Sequence, residues 1–205
     1  MAILASLRNT LILSVLLAIV MIAAYVVHSP ADFGDSAFWQ ALFRWIHVFF
    51  GILWIGLLYY FNFVQIPVMP NVPAELKPAV SKHIAPAALF WFRWAALFTV
   101  LAGLILGWLR GYLLEVLTFG LYGGYDRATD GQYTLFGVGV YLALIMFINV
   151  WGVIWPNQKR ALGLVQADDA TKAKAARTAM AFSRINTLLS LPMLVAMTMQ
   201  QTLFG

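Results

Sequence analysis

Five stretches of this chain, residues 10–27, 38–65, 87–109, 134–155 and 185–204, are each long and apolar enough to cross a bilayer as a helix. A helix in lipid satisfies its own backbone hydrogen bonds, and little else the chain could form there would. The expected fold is therefore all-α: a polytopic membrane helical bundle of about five transmembrane helices, built as a single integral membrane domain over residues 1–205. Composition agrees, with 62% hydrophobic and 10% charged residues, against about 25% charged in soluble proteins.

Charge and cysteine content exclude several function classes. A net charge of +5 and a pI near 9.6 would suggest nucleic acid in a soluble chain. Here the basic residues read as topology determinants and contacts with the lipid bilayer, and no nucleic-acid partner is expected. With no cysteine, the chain has no disulfide, thiolate metal ligand, iron–sulfur cluster or c-type haem of its own.

The connections follow from breakers and charge. Residues 10–27 form a run too long for a signal-peptide core and read as a retained anchor. Residues 66–86 hold five prolines, which predict a structured loop with a short surface helix. Residues 110–133 read either as a lid or partly re-entrant loop, or as an amphipathic surface turn. Residues 157–184 form a basic segment whose KAKAARTAMAF portion is expected to be helical, and Pro192 is expected to kink the last span. Gly103 and Gly107 form a small-xxx-small pair suited to close helix packing, including an oligomer contact. With the N-terminus inside, nine of the thirteen Lys and Arg residues fall on inner segments, so the expected orientation is N-in/C-out.

Candidate site residues come from helical spacing. Arg44, His47, Gly51, Trp54, Leu58, Asn62 and Gln65 recur at intervals of three and four, which puts them on one stripe of a helix about 32 Å long. A membrane helix turns such a stripe inward, as the wall of a site or a polar seam. Asn186, Ser190, Met193, Met197 and Gln200 form a second stripe on the last span. Asn62, Gln65, Arg93, Asn149, Asn157, Asn186 and Ser190 gather toward the inner face, where they read as a pocket or as interhelical hydrogen-bonding glue. Arg93 points further toward function, because an intramembrane arginine is costly. Trp54 lies mid-span, placed either to stack on a planar ligand or to fill the core.

A haem b is the cofactor the histidines raise. His47 and His83 differ too much in depth to share one iron, and His28 sits at the end of the first span. His47 and Met197 lie at similar depth, so they are the conceivable ligand pair. No phosphate loop, HExxH motif or nucleophile elbow occurs, and no other metal site is expected.

The stretch FRWIHVFFGILWIGLLYYFNFVQIP, with WFRWAALFTVLAG, WGVIWPNQKR and RINTLLSLPMLVAM, resembles the membrane domain at the N-terminus of bacterial membrane-bound urate hydroxylases, over roughly residues 38–204. The resemblance implies oxidation of urate to 5-hydroxyisourate at a bacterial inner membrane, with electrons leaving to a c-type cytochrome. It carries over to Arg44, His47, Trp54, Gly56, Arg93 and Asn186. The sequence departs from the family in adding a span before the shared start and in having no C-x-x-C-H tail, so the electron acceptor is expected to be a separate cytochrome.

The leading expectation is a membrane redox protein that oxidises urate or a similar planar anion. In it His47 is proton acceptor or ligand, Arg93 holds the anion and Trp54 stacks, with Arg44, Asn62, Gln65, Asn149 and Asn186 around the substrate. The alternative is a non-catalytic subunit of a membrane electron-transfer complex that binds haem or quinone or braces respiratory subunits. A small transporter is a third reading, against which the lack of an inverted repeat counts.

Overall fold

A computed structural model describes residues 5–29, 32–122 and 127–204. Among these residues every regular element is helical. Five helices are long and apolar enough to cross a membrane: Leu7–His28, Ser36–Asn71, Lys77–Leu109, Gly131–Ala161 and Asp169–Phe204. We refer to them as the first to fifth spans. The five expected membrane-length helices are thus present, and spans two to five run beyond the limits expected for them.

The chain divides into two compact units, residues 1–42 and 43–205. In the first unit, helix Leu7–His28 buries none of its side chains and is apolar on every face, as a helix facing lipid all round would be. Its C-terminal end is closed locally: the Ser29 N–H bonds to the Val26 carbonyl at 3.1 Å, and His28 Nδ1 donates to the Ala24 carbonyl at 2.7 Å.

The second unit has one continuous core. Trp54, Leu58 and Phe61 of the second span meet Leu89, Phe92, Ala95 and Ala96 of the third, Met146, Val150 and Ile154 of the fourth, and Met193 of the fifth. Small residues set the closest approaches. A Cβ on Gly139 would lie 2.8 Å from Ala196 Cβ, and one on Gly137 would lie 2.5 Å from the Val116 carbonyl oxygen.

The prolines act differently from the sequence expectation. Helix passes through most of residues 66–86, and only 72–76 interrupt it. Three π turns, Tyr60–Gln65, Val80–Ile84 and Asn149–Ile154, make this possible. Each is followed two residues later by a proline: Pro67, Pro86 and Pro156. The residue before each proline donates its N–H five positions back, Ile66 to Phe61, Ala85 to Val80 and Trp155 to Val150. A proline has no N–H for the carbonyl four residues back, and its ring crowds that carbonyl. Widening the preceding turn by one residue relieves the crowding and lets the helix continue.

Residues 157–184 are mostly helical too. The fourth span ends at Ala161, and Gly163, at φ +73°, lets the Leu164 N–H fold back to the Lys159 carbonyl at 2.9 Å. Asp168 then caps the fifth span: its carboxylate accepts from the Thr171 N–H at 2.7 Å and the Thr171 hydroxyl at 2.9 Å. That helix runs without interruption past Pro192. The expected lid region carries a short helix, Leu113–Leu117, while the residues from 123 to 126 lie outside the described part.

Candidate functional site

Two cavities open at opposite ends of the second unit. The first has a volume of about 580 Å³ and is lined by Arg44, Arg110, Gly111, Tyr112, Glu115, Gln132, Tyr133, Phe136, Gln200 and Gln201. It forms where the third span ends and the short helix begins. Gly111, at φ +75°, takes the left-handed conformation that ends the third span and turns the chain, and the Tyr112 N–H reaches back to the Gly107 carbonyl at 3.2 Å. This turn sets Tyr112 and Glu115 beside the ends of the second, fourth and fifth spans.

The polar groups of this cavity are spread round its wall. Arg110 lies over the Tyr112 ring, 5.6 Å from its centroid, and Phe136 meets the same ring edge-on at 5.6 Å. Gln132 Nε2 donates to Gln200 Oε1 at 2.9 Å, which fixes the deeply buried Gln200 amide. Glu115 Oε2 is shielded from solvent and has no hydrogen-bond partner. Two guanidiniums line the same cavity, yet among the described residues the only ion pair is Lys172–Asp169, at 3.2 Å on the surface. Burial pushes the Tyr112 hydroxyl above the ordinary phenol range; Arg110 and then Arg44 pull against that shift. The hydroxyl therefore remains a neutral donor at physiological pH.

His47 lies one helical turn from Arg44. Its Nδ1 is 2.8 Å from the Thr99 carbonyl. A carbonyl can only accept, so Nδ1 carries a proton, and in its neutral form the ring has its lone pair on Nε2. Gly103 makes room for this ring: a Cβ there would sit 2.8 Å from Nδ1. Gly103, expected to pack against another helix backbone or another copy, faces His47 of its own chain, and Gly107 faces Leu113 and Tyr112.

The remaining candidates occupy other places. Trp54 is 1% exposed and sits in the hydrophobic core, its indole N–H without a partner. Asn149 donates to Asn186 Oδ1 at 2.9 Å, and Asn186 Nδ2 donates to the Met146 carbonyl at 2.9 Å. Asn62 Nδ2 donates to the Leu58 carbonyl at 2.9 Å and to Ser183 Oγ at 2.8 Å. Ser190 Oγ donates to the Thr187 carbonyl at 2.7 Å, so the Tyr59 hydroxyl, 3.0 Å away, donates to Ser190. These amides and hydroxyls tie the second, fourth and fifth spans together. Arg93 lines neither cavity: its guanidinium stacks 3.9 Å from the Trp155 ring centroid, with Phe90 at 5.3 Å. Met197 is half-buried against the core, one turn from Gln200. Gln65 lines the second cavity, at the far end of the bundle from Arg44.

The structure thus brings Arg44 and His47 to one end and Asn62, Gln65, Asn149 and Asn186 toward the other. The sequence reading missed Arg110, Tyr112, Glu115 and Gln132. Their signal was weak because they stand in a connection and at a helix start, where no periodicity marks a face. Gln200 had already appeared on the second polar stripe.

The composition of the first cavity gives meaning to a comparison with known families. Residues 111–201 match the urate oxidase N-terminal family. The matched segment, a little under half of the chain, contributes every lining residue of the first cavity except Arg44 and Arg110. It agrees with the family expected from sequence, although the W-x-H-V stretch that first suggested it lies outside the match. No curated protein and no solved structure matches the chain.

Proposed function

We propose that this urate-oxidase-type chain binds urate or a similar planar anion in the Arg44–Arg110 cavity and takes part in its oxidation, in a bacterial inner membrane. The observation that carries the reading is the lining of that cavity, most of it from the family-matched segment. Two guanidiniums suit a delocalised anion. Tyr112, Tyr133 and Phe136 offer ring faces, and Gln132, Gln200 and Gln201 offer amides. Glu115 Oε2, shielded and unpartnered, accepts a ring N–H of the bound anion. A simple carboxylate has no such N–H, so Glu115 favours an azacyclic anion over an aliphatic one. Arg44 and Arg110 take the anion-holding role expected of Arg93, and the aromatic wall takes the stacking role expected of Trp54.

The chemistry balances as urate plus water giving 5-hydroxyisourate, two protons and two electrons. A C–O bond forms at the ring carbon, and the electrons leave one at a time to two oxidised c-type cytochromes supplied as a separate protein. His47 Nε2, one turn from Arg44, is the candidate proton acceptor.

Isothermal titration of the purified protein in lipid nanodiscs with urate tests the binding step. Saturable binding weakened about tenfold or more by Arg110→Gln is expected, since a charge-assisted hydrogen bond contributes about 1.5–3 kcal/mol. Absence of urate binding by the folded protein removes the reading. Loss of urate coupled to cytochrome reduction tests the oxidation.

One observation favours a second reading, a haem-binding electron-transfer subunit. His47 donates Nδ1–H to a backbone carbonyl, the outer bond that metal-ligating histidines make. His28 and His83 are both exposed, so Met197 is the other ligand this reading requires. A Soret band that disappears in His47→Ala decides for it.

A further inference from the structure

We infer that the second cavity binds a membrane-dissolved amphiphile that presents a hydroxyl donor on an apolar body, a quinol or a phospholipid with a hydroxylated headgroup. This inference stands apart from the anion reading, because it concerns the opposite end of the bundle and rests on different atoms.

The cavity has a volume of about 510 Å³, and its walls are mainly apolar, with Phe61, Ile66, Leu89 and Ile154 among them. Gln65 contributes an amide whose Oε1 is shielded from solvent and has no partner. One turn earlier on the same π turn, Asn62 Oδ1 is also shielded and unpartnered. Asn62 cannot relieve this by flipping, because both protons of its Nδ2 are already committed, to the Leu58 carbonyl and to Ser183 Oγ. The π turn forced by Pro67 therefore holds two unpartnered amide oxygens, of which Gln65 Oε1 belongs to a residue on the wall of the apolar chamber while Asn62 does not line it, and carbonyl-type oxygens can only accept. A ligand completes the site by bringing a donor.

The lining also selects among donors. An ammonium headgroup would meet Lys77, which lines the cavity, and like charges repel. A free anion such as urate would pair with Lys77 but would leave the apolar walls unfilled and meet acceptor lone pairs. An uncharged hydroxyl on an apolar body meets neither obstacle, and Lys77 can additionally take the phosphate of a hydroxylated anionic lipid or the ring oxygen of a quinol.

The test compares ligands that differ only in the donor, using the protein in detergent and equilibrium dialysis. One arm sets a short-chain ubiquinol against its di-O-methyl ether, and the other sets phosphatidylglycerol against phosphatidylcholine. We expect a preference of about tenfold for the hydroxyl-bearing member in at least one arm, and that arm names the source. Gln65→Leu is expected to abolish the preference with an unchanged unfolding midpoint. Ala176→Trp, at the exposed rim, is expected to weaken binding of both members. Equal binding of the paired ligands, or a preference that survives Gln65→Leu, overturns the inference.

Discussion

At the scale of single residues, the pairing of His47 with Gly103 shows how one absent side chain fixes another. With Gly103 replaced by Ala, the new Cβ meets the imidazole at 2.8 Å, so the ring must leave the Thr99 carbonyl. The expected outcome is loss of the single Nδ1–H tautomer, read by ¹⁵N NMR of labelled histidine, while the helical content stays constant. Asn186 is a second such case. It is fully buried and joins Asn149 to the Met146 carbonyl, so Asn186→Leu leaves both without their partner. A loss of about 1–2 kcal/mol is expected, read as a lower unfolding midpoint in mild detergent, in keeping with interhelical hydrogen bonds in membranes. Asn186 was visible in the sequence as a polar residue on a helical stripe. Its partner was not, because the spacing within one helix does not say which residue of another helix stands opposite.

At the scale of elements, the spans were legible and their continuity was not. Length and hydropathy located all five. Prolines at 67, 86 and 156 gave a breaking signal, but the helices widen into π turns and go on, because lipid or protein surroundings penalise an open backbone more than a wide turn. Each such turn inserts a residue into the helical count, so a stripe traced at 100° per residue loses phase beyond it. Gln65 closes the first such turn, most of the length of the second span away from Arg44, and so serves the other end of the unit. The fifth span begins with a cap that titrates. Thr171 donors hold the Asp168 carboxyl below the ordinary carboxylate range. A depressed folded pKa contributes stability that is present above the ordinary pKa and lost as pH falls through the folded one. Faster amide exchange over residues 169–175 is therefore expected on acidification below the ordinary range, and in Asp168→Ala at all pH values.

At the scale of the whole molecule, the distribution of basic residues predicts a sidedness that labelling can read. Since residues 1–205 contain no cysteine, single-cysteine variants at Glu75 and Leu164 give unambiguous reporters. Both positions are exposed, in the connections between spans two and three and between spans four and five. With the N-terminus inside, a membrane-impermeant maleimide applied from outside should label neither, and should label a cysteine at Leu121. The opposite pattern reverses the assignment and places the Arg44–Arg110 cavity on the inner side. Between the two cavities, Trp54, Leu58, Phe92, Met146 and Val150 close the middle of the second unit, each no more than 2% exposed. A solute admitted at either end meets a solid waist, so each mouth must be filled and emptied from its own side. The two mouths are in that respect separate, and any influence of one on the other has to travel as charge or strain instead of as cargo.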